Sequence, residues 1–552
     1  MPATPSPPRP RTRPRTRFLL PALLLPSLAT SCSDAGDPAP PRPHVILISV
    51  DTLRADHLSC YGYGRPTSPR LDRLAREGVL FERAFSTSSW TLPAHLSLLT
   101  GLPVSAHGVC DDRLWTRPGP GGPPEPVELR GTFLSELLRG AGYRTAGFYT
   151  WKYLEPTFGF GPGFEVYERL GHTFYSFPPV ARRFDELRAR ADVKGLEALA
   201  AEHPELFDDT RPSSAEVVER ALEWIDAVRA ETPRDPFFCF LHLFDAHDPY
   251  SAPEPYRARF ADPAYDGPIN GRDVMGPGSP VHGDMAPADL AQLVALYDGE
   301  IAWIDAQIGR LLDELAARGL ERDTLVVVTS DHGEEFYEHG SKQHRHALYV
   351  ESVHVPWIAR WPRGLPAGRR VPGAVGLVDV APTIGVLAGL GPPPGASGRD
   401  QSGAARGERS PQEHTYVSEL LVFAGGGAPE RHIGLTRGAR HAVLVARGTA
   451  PWRVERFDLD ADPLGRGPGE RFELSDPRGS ELARRLDSAR GELAAARARA
   501  PARLANEGAA GLDAADVGEL SAVGYTGVDE PPPAAAGAAG RLCVDGCVWS
   551  DE

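Results

Sequence analysis

The sequence predicts an α/β protein, a three-layer α/β/α sandwich with a mainly parallel central sheet, followed by a small C-terminal α+β subdomain. Two observations predict it. Residues 44–50 (HVILISV), 237–243 (FFCFLHL) and 324–329 (TLVVVT) are unbroken apolar runs, the pattern of strands buried on both faces of a sheet. Between them lie helical patterns. Val218, Leu222, Ile225 and Val228 make one apolar stripe, and Leu290, Leu293, Tyr297, Ile301, Ile304, Ile308, Leu311 and Leu315 make a longer one. Strands alternating with helices imply parallel pairing, with helices covering both faces.

Taken in order, residues 1–32 read as an export signal. An arginine-rich start (Arg9, Arg11, Arg13, Arg15, Arg17) leads into the apolar run Phe18 to Leu28, too short to span a bilayer, and then into Ala29-Thr30-Ser31-Cys32. A cysteine after small residues has the form of a lipoprotein signal, with Cys32 as the lipidated first residue. Residues 33–43 are a tether, and 44–400 are the expected catalytic domain. Loops rich in Pro and Gly fall at 116–126 and 262–287, and 391–411 is a polar, Gly-rich boundary. Residues 412–525 mix strand-like runs with turns, as a small subdomain would. Residues 526–552 form a low-complexity tail.

Composition sets the bounds. With 552 residues, 41% hydrophobic and 8% aromatic, the chain suits a large globular domain with a smaller companion. The net charge of −15 excludes a nucleic-acid partner of the usual basic kind. Six cysteines at this length are not a disulfide framework, although Cys543 and Cys547 in the tail could pair with each other.

Chemistry converges on the strand ends. In an open parallel sheet, ligands bind beyond the carboxyl ends of the strands. Asp51 ends the first apolar run and Asp331-His332 ends the third, so both acids are expected at one rim. Carboxylate oxygens suit a hard divalent cation, and an added imidazole admits a transition metal. In the segment SSWTLPAHLSLLTG (88–101), Thr91 reads as a helix N-cap, with Pro93 in the first turn and Gly101 closing the helix. A hydroxyl there lies in the positive field of a helix start, where an anionic ester would bind. Of the 17 histidines, His332, His339, His344, His346 and His354 fall close together, and HLFDAHDPY places His242, Asp245 and His247 at the end of the second apolar run. Histidine ligates metals, donates to anions and protonates leaving groups. His339 and His354 read as structural.

These segments together resemble the sulfatase family of the alkaline phosphatase-like superfamily. The resemblance rests on DTLRADHLSCYGY (51–63), LSLLTG (96–101), FLHLFDAHDPY (240–250), TSDHGEEFYEHG (329–340), LYVESVHVP (348–356), VDVAPTI (378–384) and FDLDADP (457–463), all in the family's order. It covers roughly 44–525. The departures are as informative. Where most sulfatases have Cys-x-Pro-x-Arg, with the cysteine oxidised to formylglycine, this chain has Thr91-Leu92-Pro93-Ala94-His95. The usual pair of acids after the first strand is Asp51-Thr52, and the usual Asp-Asn is Asp331-His332.

The resemblance implies a metal-dependent hydrolase of sulfate, phosphate or phosphonate esters. Asp51, Asp331 and His332 would hold one divalent metal ion (Zn, Mn or Ca, with a transition metal favoured), and Thr91 would be the nucleophile. His247 and His344, by position, would contact the ester oxygens or protonate the leaving group, and His95, Lys152 and Lys342 are weaker candidates for substrate contact. The expected partners are a small-molecule or glycan or lipid ester and, through the lipid anchor, the membrane of the cell envelope or periplasm. Two rivals stand beside this reading: a transferase of phospho-substituents to envelope glycans or lipids, and a non-catalytic binding lipoprotein on the same fold.

Overall fold

The structure, a computed structural model, describes residues 42–110, 115–116, 125–126, 128–170, 183, 187, 193–203, 213–272, 274, 279–422 and 429–504. The signal peptide and Cys32, most of the tether, Cys543, Cys547 and the tail lie outside the described residues. Among the described residues no helix is long and apolar enough to cross a membrane.

Eight strands form the central sheet: β1 (His44–Val50), β2 (Val79–Phe85), β3 (Arg144–Tyr149), β4 (Val166–Arg169), β5 (Phe237–Leu243), β6 (Thr324–Ser330), β7 (His354–Arg360) and β8 (Arg369–Gly376). Their order is β8-β2-β7-β6-β1-β5-β3-β4. All neighbours pair in parallel except those of β7, which runs against both β2 and β6. The three apolar runs therefore occupy the middle as β5-β1-β6, buried on both faces as their composition requires. Successive side chains of β1 feed opposite layers. Val45 and Leu47 pack with Leu92, Leu96 and Leu99 of helix α2 (Thr91–Thr100). Ile46, Ile48 and Val50 pack against α3 (Ser213–Glu231), α4 (Pro287–Ala317) and α1 (Pro69–Glu77). That is the expected three-layer sandwich.

A second, five-stranded antiparallel sheet follows in meander order: β9 (Tyr416–Val422), β10 (Glu430–Arg437), β11 (Arg440–Arg447), β12 (Arg453–Asp458) and β13 (Glu470–Glu473). After helix α5 (Ser480–Arg499), residues Ala502–Leu504 leave this sheet and pair with Glu128–Arg130. The meander does not stand apart from the sandwich. Strand β9 runs beside the segment leading into α2: Ser418 Oγ donates to Ser86 O (2.6 Å), Glu419 N to Thr87 O (2.8 Å), and Ser88 Oγ to Glu419 O (2.8 Å). Cys60 and Cys239 are free thiols, whereas Cys110 is disulfide-bonded.

Candidate active site

Strand register assembles the centre. Val50 of β1 pairs with Ser330 of β6, so the next residue of each strand, Asp51 and Asp331, leaves the sheet at the same rim. Asp51, Asp331 and His332 offer ligand atoms all within 4.8 Å of one another, and all three are fully buried. Thr91 joins them. Its Oγ lies 3.5 Å from Asp51 Oδ2 and 3.5 Å from His332 Nε2. The helix cap itself is Trp90, and Thr91 is the first helical residue, with no capping hydrogen bond from a side chain. The reading of Thr91 as N-cap is thus corrected by one position. Its hydroxyl faces the acids instead of the helix's own N–H groups.

The donor chemistry fits a divalent cation. Asp51 Oδ1 and Asp331 Oδ2 are buried oxygens with no hydrogen-bond partner, an expensive arrangement for two adjacent carboxylates unless a cation completes it. Burial raises the pKa of both, and the charge of Asp51 raises Asp331 further. Burial holds His332 near 3, neutral and able to ligate through Nε2, while its Nδ1 donates to Gly333 O at 2.9 Å. A histidine fixed through one nitrogen, with the other facing acids, is the usual arrangement of a metal-binding imidazole.

Thr52 occupies the place of the absent second acid. It adopts φ 54°, a left-handed conformation that is strained for a β-branched residue, and its hydroxyl donates to Ala246 O at 2.8 Å. Tyr297 clamps this turn, donating to Thr52 O (2.8 Å) and accepting from Arg54 N (3.0 Å).

Beneath the acids lie two more histidines. His242, on β5, sits 3.2 Å from Asp51 Oδ2 through Nε2 and 3.0 Å from Thr150 Oγ through Nδ1. His95 approaches Thr91 O and Ser49 Oγ, each at 2.9 Å, and lies 3.5 Å from Asp331 Oδ2. Both are fully buried, and burial first of all lowers each to about 4. His95 therefore supports the acids from behind, and both its ring nitrogens are engaged within the protein.

His247 and His344 face each other with ring centroids 5.1 Å apart, and His344 lies 4.5 Å from His332 by the same measure. His344 Nδ1 is held by Glu334 Oε1 at 2.9 Å, and Tyr250 OH donates to the other oxygen of Glu334 at 3.1 Å. His247 Nδ1 donates to Asp248 O at 2.8 Å. Burial opposes charge on His247, yet Asp248, Asp51 and Glu334 outweigh it and raise the pKa to about 9. Burial, and then His247 itself, drives His344 well below the usual histidine value. The two rings are thus split into a charged and a neutral partner, the pattern of an acid beside a neutral acceptor.

The remaining candidates are placed differently. Lys342 does not turn to an anion: its ammonium donates to Val274 O and Val281 O at 2.6 Å each and to Ser279 Oγ at 3.2 Å. Lys152 lies over the rings of Trp151 (5.8 Å) and Tyr153 (5.1 Å). His339 pairs with Glu351 (2.7 Å) and stacks on Tyr349, as a structural histidine would. Two contributors escaped the sequence reading. Glu334 follows His332 by two positions, but its use depends on a loop that brings residue 344 back over it. Arg345, at φ 66°, lays its guanidinium 4.1 Å from the ring of Trp90, and its backbone N–H donates to Ser89 O at 3.0 Å, beside the start of α2. No periodicity reports either contact.

The family model described as Sulfatase matches residues 43–390. Steryl-sulfatase of Mus musculus is 26% identical over 83% of this chain and 77% of its own length. The multifunctional alkaline phosphatase superfamily protein PehA of Trinickia caryophylli is 29% identical over 62% of this chain and 73% of its own. Among solved structures, the phosphonate monoester hydrolase of Agrobacterium radiobacter aligns with a TM-score of 0.59 at 24% identity, covering 84% of this chain and 97% of that one, a likeness of fold.

Proposed function

The chain belongs to the sulfatase family of ester hydrolases, and on that premise we propose that it cleaves a sulfate, phosphate or phosphonate ester by direct attack of Thr91. One observation carries this reading. The Thr91 hydroxyl lies equally close, at 3.5 Å, to a carboxylate oxygen and to an imidazole nitrogen of the same buried cluster, at the first turn of a helix.

Asp51, Asp331 and His332 would hold a divalent cation, and the imidazole among them favours a transition metal. Such an ion supplies positive charge that makes the threonine hydroxyl more acidic and offsets charge on the attacked group. The chain's own residues do the rest. The start of α2 places Thr91 Oγ in the positive field of the helix, where the ester's non-bridging oxygens are also stabilised. Attack forms a bond from Oγ to sulfur or phosphorus as the hydroxyl proton passes to Asp51 Oδ2, and it breaks the bond to the leaving oxygen, which takes a proton from His247. His344, kept neutral and oriented by its Nδ1–H on Glu334, has a proton-free Nε2, an acceptor that orients the attacking water. Water then displaces Thr91 from the sulfur or phosphorus, giving a proton to His247 while Asp51 returns one to Oγ, which regenerates the hydroxyl. No formylglycine is required, because oxidation of threonine at Cβ would give a ketone and not the aldehyde.

Full-length protein assayed with divalent metal on aryl sulfate, phosphate monoester, phosphodiester and phosphonate monoester tests the proposal. Turnover of at least one class, lost on Thr91→Val, is expected. No turnover of any class, or undiminished turnover in the variant, overturns it.

A further inference from the structure

A cavity of about 310 Å³ lies where the 397–399 loop, strand β9 and helix α5 meet, with Thr87, Arg399, His414, Arg437 and Arg485 on its walls. None of these residues belongs to the carboxylate cluster. Its electrostatics are uneven. Arg437 is held by both oxygens of Glu413 (3.1 and 3.2 Å), and Arg485 by Glu481 one helical turn away. Arg399 is different. Its guanidinium donates to Gln412 Oε1 (3.1 Å) and His414 Nδ1 (3.0 Å), both neutral, and no carboxylate among the described residues pairs with it.

Because His414 Nδ1 accepts from Arg399, its proton sits on Nε2, which lies 3.9 Å from Glu492 Oε2, beyond hydrogen-bond distance, as a second donor beside the guanidinium. Thr87, on the cavity wall, adds a third group: the residue is 3% exposed, and its hydroxyl is buried with no hydrogen-bond partner. A buried hydroxyl without a partner is costly unless a ligand supplies one. The acids do not cancel this charge. The side chains of Glu413 and Glu492 are 65% and 62% exposed, as groups at the rim. Asp379 is buried but accepts from Tyr416 OH, Gln401 Nε2 and the N–H groups of Gly376 and Arg399.

We propose that this cavity is a second binding site, separate from the catalytic centre, for a small organic oxyanion, a phosphate or sulfate group on a body no larger than a monosaccharide. Arginine is suited to such groups because its fork of N–H donors matches two oxygens at once. The volume sets the size. It stands near the lower end of small-molecule sites, which begin at roughly 300 Å³, and a bare ion would leave most of it empty.

The test uses full-length Asp331→Asn protein, so that the catalytic cluster does not contribute, titrated calorimetrically with glucose 6-phosphate, inorganic phosphate and inorganic sulfate. Saturable one-to-one binding of the sugar phosphate is expected. Adding Arg399→Gln should weaken it roughly tenfold or more, the scale of a lost charge-assisted hydrogen bond. Arg399→Lys should recover part of that loss, and the near-isosteric Thr87→Val should cost roughly threefold. Tighter binding of the sugar phosphate than of the free ions identifies the organic body as part of the ligand. Equal affinity identifies the oxyanion alone as what is recognised. Absence of saturation up to about 10 mM of every probe, a very weak limit, or affinities unchanged in both Arg399→Gln and Thr87→Val, overturns the site. Thermal midpoints without ligand report whether each variant folds, and Thr87→Val keeps the test decisive if Arg399→Gln does not.

Discussion

The floor of the candidate cleft and the wall above it both carry histidine, held by different means. On the floor, Asp51, Asp331 and His332 are fully buried and Thr91 is 2% exposed, and each is aimed by regular backbone: two adjacent strand ends and the first turn of a helix. On the wall, the side chains of His247, His344 and His346 are 12%, 16% and 24% exposed. His344 and His346 are aimed by other side chains, Glu334 and Glu335, on a loop with Tyr337, Gln343 and Arg345 all at positive φ, and His247 is held by the carbonyl of Asp248. Strand ends aim the floor by backbone alone, whereas on the loop a carboxylate lies under His344 and under His346. The floor should therefore fail all at once when a ligand is removed, while the wall should fail by degrees.

The largest effect tests the floor. Asp331→Asn or Asp51→Asn should strip the protein of divalent metal, measured by elemental analysis, and lower turnover by more than about four orders of magnitude, since the ion and the activated hydroxyl are lost together. The thermal midpoint should hold, because each acid lies at a strand end and not among the apolar contacts. If both variants keep metal and activity, the floor is not the catalytic centre. Thr91→Val comes next. It should keep its metal yet lose about 3–4 orders of magnitude in kcat, the scale of removing a nucleophile from an intact site, whereas Thr91→Ser should retain measurable activity.

Glu334→Gln probes the wall. It should cost about 10–100-fold in kcat with metal content unchanged, the usual cost of removing a group that orients a functional histidine. A fall of the Asp331→Asn size, with metal loss, would mean that the wall and the floor are one unit. The smallest change is expected of Lys342→Met, less than about twofold in kcat/KM, because its ammonium is occupied by two carbonyls and a hydroxyl. A drop in KM-linked affinity as large as that of Glu334→Gln would return Lys342 to the substrate.

What was legible in the sequence follows the same division. The three central strands were readable because burial on both faces leaves an unbroken apolar run, and Asp51 and Asp331 because they end those runs. The antiparallel course of β7 was not legible, since HVPWIAR is as apolar as its parallel neighbours and direction leaves no mark on composition. His242 carried a signal that went unassigned: a histidine inside FFCFLHL is out of place in a buried strand unless something pairs with it, and Asp51 does. Glu334 and Arg345 had no such mark, because their partners are set by the path of a loop.

The return of Ala502–Leu504 to Glu128–Arg130 has a consequence in time. Gly131 N donates to Pro501 O (2.9 Å) and Arg130 reaches Arg497 O (3.1 Å), so a short edge of the early-made half is completed only by residues near the end of the described chain. The intervening stretch is 367 residues between Arg130 and Arg497. At ordinary rates of synthesis that is a wait of about 20–70 s, during which the first half of the sandwich exists without its last partner. A chain built this way cannot close that edge until Ala502–Leu504 have been made.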